Sequence, residues 1–105
     1  MMKATFIYIT AGNMDEAKKI SRELISRKLA ACVNIIDNMV SMFWWEDEIH
    51  EDKEVILIAK TKEALVTELI ETVKSVHSYD CPCIVSLPVS DGNRAFLDWI
   101  AQQTK

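Results

Sequence analysis

Cys81-Pro82-Cys83 is the part of this 105-residue sequence best equipped for chemistry, and His77 stands four residues before it. In an extended segment the side chains at i and i+2 share a face, so both sulfurs could reach one soft cation such as Cu(I), with His77 adding a nitrogen. Two thiols and one imidazole fall short of the four-ligand set of a structural zinc site. The same cysteines also suit a second reading as small apolar residues packed at the start of a strand, because unpaired cysteine is among the most buried residue types. Lys60, at the end of an apolar run, and Tyr79 form a further candidate, a pair able to contact an anion jointly. In Trp44-Trp45 a regular strand sends one ring to a core or subunit interface and leaves the other, Trp45, free to line a cleft.

Other chemistry-bearing residues have plainer readings. Cys32 follows Leu29-Ala30-Ala31 and reads as a packed residue at a helix-to-strand junction. His50 lies in the acidic stretch Glu46 to Asp52 and reads as a solvated turn residue. That stretch lacks the spacing and the glycine of a calcium loop. No H-E-x-x-H, G-x-x-x-x-G-K or G-x-G-x-x-G pattern occurs. The loop Ala11-Gly12-Asn13 also lacks the arginine that an acylphosphatase-type phosphate cradle requires. The residues favour binding over catalysis.

Composition narrows the partners. The chain carries 16 acidic against 12 basic residues, a net charge of −4, with its lysines and arginines interleaved with acids. A nucleic-acid binder needs a concentrated positive field, so nucleic acid is not expected. No apolar run approaches the ~20 residues of a membrane span. The opening MMKATFIYIT has no signal-peptide pattern, and three cysteines, two of them nearly adjacent, suit no disulfide framework. A cytoplasmic protein is expected, forming one domain over residues 1–105.

Period and capping define the elements that must hold these residues. Thr5 to Thr10 alternates as a strand, and Asn13 with Glu16 has capping-box spacing ahead of a helix reaching Leu29 or Ala30. Val33 to Trp45 reads as a long strand with a bulge or bend near Asp37, then the turn from Glu46 to Asp52 and a central strand from Glu54 to Lys60. Thr61 is a good N-cap for a helix ending near His77. Ile84 to Val89 forms a fourth strand, and Asn93 opens a short helix with Phe96, Trp99 and Ile100 in one stripe. The order β-α-β-β-α-β-α predicts an α+β fold of ferredoxin-like, split β-α-β type. One sheet face is left bare in such a fold, and Met39, Met42, Phe43, Trp44 and Trp45 exceed what a small monomer can hide, so an oligomer is expected.

The blocks KLAACVNII (28–36), FWWEDEI (43–49), KT (60–61), HSYDCPCI (77–84), LPV (87–89) and GNRAFLDWI (92–100) occur in one order over nearly the whole chain. Together they closely resemble the CutA divalent-cation-tolerance family. The resemblance implies a ferredoxin-like homotrimer related in architecture to the PII signalling proteins, with an intersubunit cleft near His77 and Tyr79. The chain departs from the family pattern at Ser78 and Cys83, where proline and glutamate are common. At two positions linked to copper in some members it has Ile9 and Val76, which cannot ligate, so only His77 remains of that constellation. Three functions follow as expectations: a copper-type or divalent-cation binder involved in metal tolerance, a PII-like sensor of a small anionic metabolite, or a trimeric scaffold for partner proteins.

Overall fold

The computed structural model describes residues 2–105. Strand β1 (Ala4–Ala11) leads to helix α1 (Met14–Ser26), then the long strands β2 (Cys32–Trp45) and β3 (Glu48–Lys62). A 3-10 turn (Glu63–Leu65) enters helix α2 (Val66–Val76), followed by β4 (Ile84–Pro88) and helix α3 (Arg94–Gln103). The sheet is antiparallel throughout, in the order β2-β3-β1-β4. This is the expected ferredoxin-like arrangement, in which β3 separates β1 from β2 and β4 closes on the far side of β1.

Alternation along the strands divides the sheet into two faces. Ile7, Ile9 and Ala11 of β1 pair with Ala59, Leu57 and Val55 of β3, and all six are buried. Against them α1 packs Ala17, Ile20 and Leu24, and α2 packs Leu69 and Val73. The helical period of these residues puts them on one stripe, which is why a two-layer core forms.

Three boundaries differ from the sequence expectation, each for a local reason. Helix α1 stops at Ser26 because Lys28 enters the left-handed region (φ 58°). The Lys28 N–H then donates to the Ile25 carbonyl (3.0 Å) and the Leu29 N–H to that of Leu24 (2.9 Å), a Schellman ending with the buried Leu29 folded back on the helix. Thr61 does not cap α2, since β3 runs on to Lys62 and Thr61 lies fully buried within the strand. The acidic turn is far shorter than Glu46 to Asp52. Only Glu46 and Asp47 turn, with φ of 50° and 62°, and Glu48 already pairs with Trp45. Two left-handed residues between paired strands match the right-handed twist of a tight hairpin.

The expected bulge lies between Ile36 and Met39, where Asn38 takes φ 61° and its N–H donates to its neighbour Asp37 Oδ1 (2.7 Å). One extra residue shifts the side-chain parity of β2. Before the bulge Cys32, Asn34 and Ile36 share the helix-free face with Lys60, Ile58 and Ile56; beyond it Ser41, Phe43 and Trp45 share it with Asp52, His50 and Glu48. The paired β2–β3 arm extends from the body, and the molecule measures 45 × 25 × 22 Å.

Candidate functional site

The helix-free face of the arm and the segment between α2 and β4 enclose a groove of 730 Å³. From the sheet it is lined by Tyr8, Thr10, Ser41, Met42, Phe43, Trp45, His50, Asp52 and Glu54, and from the following loop by Tyr79, Asp80, Cys81 and Cys83. Strand alternation explains the sheet side apart from Met42, which pairs with Glu51 in the opposite alternation: Asp52 opposes Ser41, His50 opposes Phe43 and Glu54 opposes Met39. His50 is therefore a strand residue stacked on Phe43, with centroids 5.8 Å apart, and not a solvated turn residue.

His77 pins the loop. It caps the C-terminus of α2 in extended backbone, and its side chain is buried. Nε2 lies 2.7 Å from the Thr10 carbonyl, which can only accept, so this nitrogen carries the hydrogen. Nδ1 accepts from the Tyr79 N–H at 3.1 Å. Both ring nitrogens are thus engaged inside the protein, and the imidazole is not part of the groove lining. Of the three residues singled out for metal, the structure brings Cys81 and Cys83 to the groove and places His77 behind it.

Glu16 holds the same loop from the other side. Its N–H donates to Asn13 Oδ1 (2.8 Å), as the capping spacing predicts, while its own Oε1 accepts from the Gly12 N–H (3.0 Å). Its Oε2 accepts from the Ser78 N–H at 2.8 Å and stands 4.0 Å from His77 Nδ1. Burial alone would raise this carboxyl, but the hydrogen bonds from Gly12 and Ser78 outweigh it and hold the pKa below the ordinary glutamate value. Tyr79 donates its hydroxyl to Glu54 Oε2 at 2.8 Å. Burial, this hydrogen bond and the charges of Glu54, Glu16 and Asp52 push its phenol well above the usual tyrosine value. Burial, then the charge of Glu54, also raises the Cys83 thiol, which keeps it protonated at neutral pH.

Lys60 does not share the cleft with Tyr79 and Trp45, as the anion reading required. It sits six residues along β3 from Glu54, about 20 Å away at the rise of an extended strand. Only 7% exposed, it contacts Asn34 Oδ1, lies 3.5 Å from Cys32 Sγ and stands over the Phe6 ring at 5.6 Å. Trp45 does line the groove, and Trp44 points to the opposite side of the arm.

The groove therefore presents three carboxylates and two thiols among aromatic rings, with no lysine or arginine in its lining. Among the described residues, no three His, Cys, Asp or Glu side chains cluster closely enough to hold a metal ion together. From sequence, Asp52 reads only as part of a solvated acidic turn and Glu16 only as a helix cap, while neither Glu54 nor Asp80 carries a signal of its own. The signal for Asp52 and Glu54 was available: Glu54, Asp52 and His50 share one face at period two once β3 is begun at Glu48.

No helix among the described residues is long and apolar enough to cross a membrane. Residues 5–103 match the family model described as CutA1 divalent ion tolerance protein. The divalent-cation tolerance protein CutA of Archaeoglobus fulgidus is 46% identical over 95 residues, 90% of this chain and 92% of that protein. The chloroplastic protein CutA 1 of Oryza sativa is 41% identical over 94% of this chain, which spans only 56% of that protein's length. Among solved structures, CutA1 from Oryza sativa superposes with a TM-score of 0.96 at 40% identity, covering 98% of this chain and 94% of that one. The periplasmic divalent cation tolerance protein CutA from Archaeoglobus fulgidus gives 0.94 at 43% identity, covering 97% and 99%. With its fold, its sequence blocks and these likenesses in agreement, the chain belongs to the CutA1 divalent ion tolerance family.

Proposed function

We propose that this chain is a non-enzymatic, homotrimeric cytoplasmic protein that binds divalent or copper-type cations in the groove and thereby serves metal-ion tolerance. The acidic, thiol-bearing lining carries this reading: Asp52, Glu54 and Asp80 attract a cation, and Cys81 and Cys83 offer soft ligands. Relatives of this chain bear the name divalent-cation tolerance protein. Three free thiols support a reducing compartment.

The trimer is supported by the uncovered sheet face. Ile36, Val85 and Leu87 lie on it, each about half exposed, and the arm adds Trp44 at 72% and Met42 at 70% exposure on its other side. Apolar surface of this kind belongs in subunit contacts. A neighbouring subunit would complete the coordination sphere that one protomer's side chains leave short. The alternative of an anionic-metabolite sensor finds no cationic side chain in the groove.

Native mass spectrometry of protein purified without added metal, followed by titration with Cu(I) and Zn(II) against a competing chelator, tests the proposal. A trimer taking up stoichiometric metal is expected, with Cu(I) affinity falling at least tenfold in Cys81→Ser/Cys83→Ser. A monomer, or unchanged affinity in that variant, overturns it. A trimer that takes up neither metal leaves the scaffold function in its place.

A further inference from the structure

The turn between β4 and α3 carries chemistry of a different kind. Asp91 and Gly92 stand beyond the end of β4, in a segment (residues 89–93) that belongs to no helix or strand. The Gly92 N–H donates to Asp91 Oδ1 at 2.8 Å and not to a backbone carbonyl. No helix or strand bond therefore has to break before this nitrogen reacts. It lies one C–O bond away from Cγ, a near-attack arrangement for ring closure. Glycine removes the remaining obstacle, since no Cβ crowds the attacking nitrogen. Asp37 provides a contrast: the Asn38 N–H makes the same contact at 2.7 Å, but Asn38 carries a side chain and sits in the bulge of the paired strands β2 and β3.

We infer that Asp91 is a site of spontaneous aspartate isomerisation, where the turn closes to a succinimide and reopens as isoaspartate. The Gly92 nitrogen bonds to Asp91 Cγ, and the carboxyl hydroxyl departs as water with the N–H proton. Water then adds to one of the two ring carbonyls. Breaking the bond from nitrogen to Cγ restores aspartate. Breaking the bond from nitrogen to the Asp91 carbonyl carbon leaves the backbone running through Cβ and Cγ. No oxidant or cofactor takes part, and there is no net change in atoms. Every bond involved belongs to one turn of one chain, so the site depends on neither the groove nor the subunit contact. The lengthened backbone lies just ahead of Asn93, whose Oδ1 caps α3 by accepting from the Ala95 N–H at 3.0 Å. Displacing that cap loosens the first turn of α3.

The test is to hold the purified protein for weeks at mildly acidic pH and physiological temperature, digest it, and resolve isoaspartyl peptides by liquid chromatography and mass spectrometry. Isoaspartate is expected at Asp91 and not at Asp37, forming at least as fast as in a free peptide of the same local sequence. Formation about tenfold slower in the folded protein than in the peptide would overturn the inference, because the fold would then oppose closure. Gly92→Ala should slow the reaction about tenfold. The added Cβ meets the Leu97 side chain at 3.6 Å, an ordinary contact, so this variant keeps the fold. An unchanged rate in Gly92→Ala, or equal isoaspartate at Asp37, would also overturn the assignment. In the isomerised fraction, hydrogen exchange at the Ala95 N–H should quicken; unaltered exchange there would sever the modification from α3.

Discussion

The Tyr79 hydroxyl donates to Glu54 Oε2 at 2.8 Å, so the loop that follows α2 is tied across the sheet to the base of the β2–β3 arm. His77 and Tyr79 also touch, with ring centroids 4.6 Å apart, and His77 is fastened to the end of β1 through the Thr10 carbonyl. Loop, first strand and arm are thus one connected unit around the groove. Its shape depends on groups that also carry the local charge.

Tyr79→Phe removes the donor and leaves a half-buried carboxylate without its partner. Hydrogen bonds to charged groups contribute about 1.5–3 kcal/mol, and solvent reaching Glu54 reduces this, so a loss of about 1 kcal/mol is expected in urea denaturation. In the parent protein the Tyr79 phenol should stay unionised well past pH ~10, the ordinary tyrosine value, in an ultraviolet titration. Its raised pKa means that this contact adds stability below the ordinary tyrosine pKa and loses it as pH rises beyond. Glu54→Gln should bring the phenol back towards its ordinary value. A phenol that titrates identically in both proteins would contradict the assigned contact.

Glu16 predicts the opposite pH behaviour. Its folded pKa is depressed, so its contribution is complete above the ordinary glutamate range and drains away as pH falls through that range to the depressed value. Glu16→Gln should lower stability by about 1 kcal/mol at neutral pH, as loss of a capping-box carboxylate does. The variant and the parent should converge as pH falls below the depressed Glu16 value. Hydrogen exchange would place the effect at Gly12 and Ser78, whose N–H groups this carboxylate accepts. A uniform loss at all pH values would show that its charge has no part in holding the loop.

How much of this was legible from the residues depends on the range of the interaction. The strand and helix order followed from period alone, because each element's buried stripe lies within its own few turns or pleats. Asn13 with Glu16 was readable as a capping pair, but the second role of Glu16 joins residues 62 positions apart and has no local pattern. His77 was singled out as a ligand from its neighbours in sequence, whereas its actual partner, the Thr10 carbonyl, lies on another element. Lys60 pairs with Tyr79 on charge and on the family resemblance together, whereas six residues of extended strand separate it from Glu54 and the groove. The bulge near Asp37 was anticipated, yet its effect on which side chains join the groove required the register.

Lys28 offers a test of local backbone strain. It occupies the left-handed position of the Schellman ending, where glycine has no Cβ penalty. Lys28→Gly should therefore stabilise the protein by about 1 kcal/mol, less the entropy that glycine restores to the unfolded chain, raising the denaturant midpoint without changing its slope. Lys28→Ala should not do so, because alanine retains the Cβ. Equal midpoints for the two variants would mean that the strain at this turn is negligible.

Leu87 tests the proposed trimer. It lies on β4 opposite Phe6, on the sheet face that no helix covers, and is 53% exposed in the single chain. If that face is the subunit contact, Leu87→Glu buries an unpaired carboxylate in each interface, a cost of several kcal/mol per ion. The variant should elute as a monomer in size-exclusion chromatography with light scattering, while its circular dichroism spectrum shows the same strands and helices. The core residues on the other face, Ile7, Ile9 and Leu57, do not meet this position and should keep the protomer folded. Leu87→Met conserves volume and polarity and should remain trimeric. A Leu87→Glu protein that stays a trimer would place the subunit contact elsewhere, with the exposed arm residues Trp44 and Ile49 the next surface to substitute.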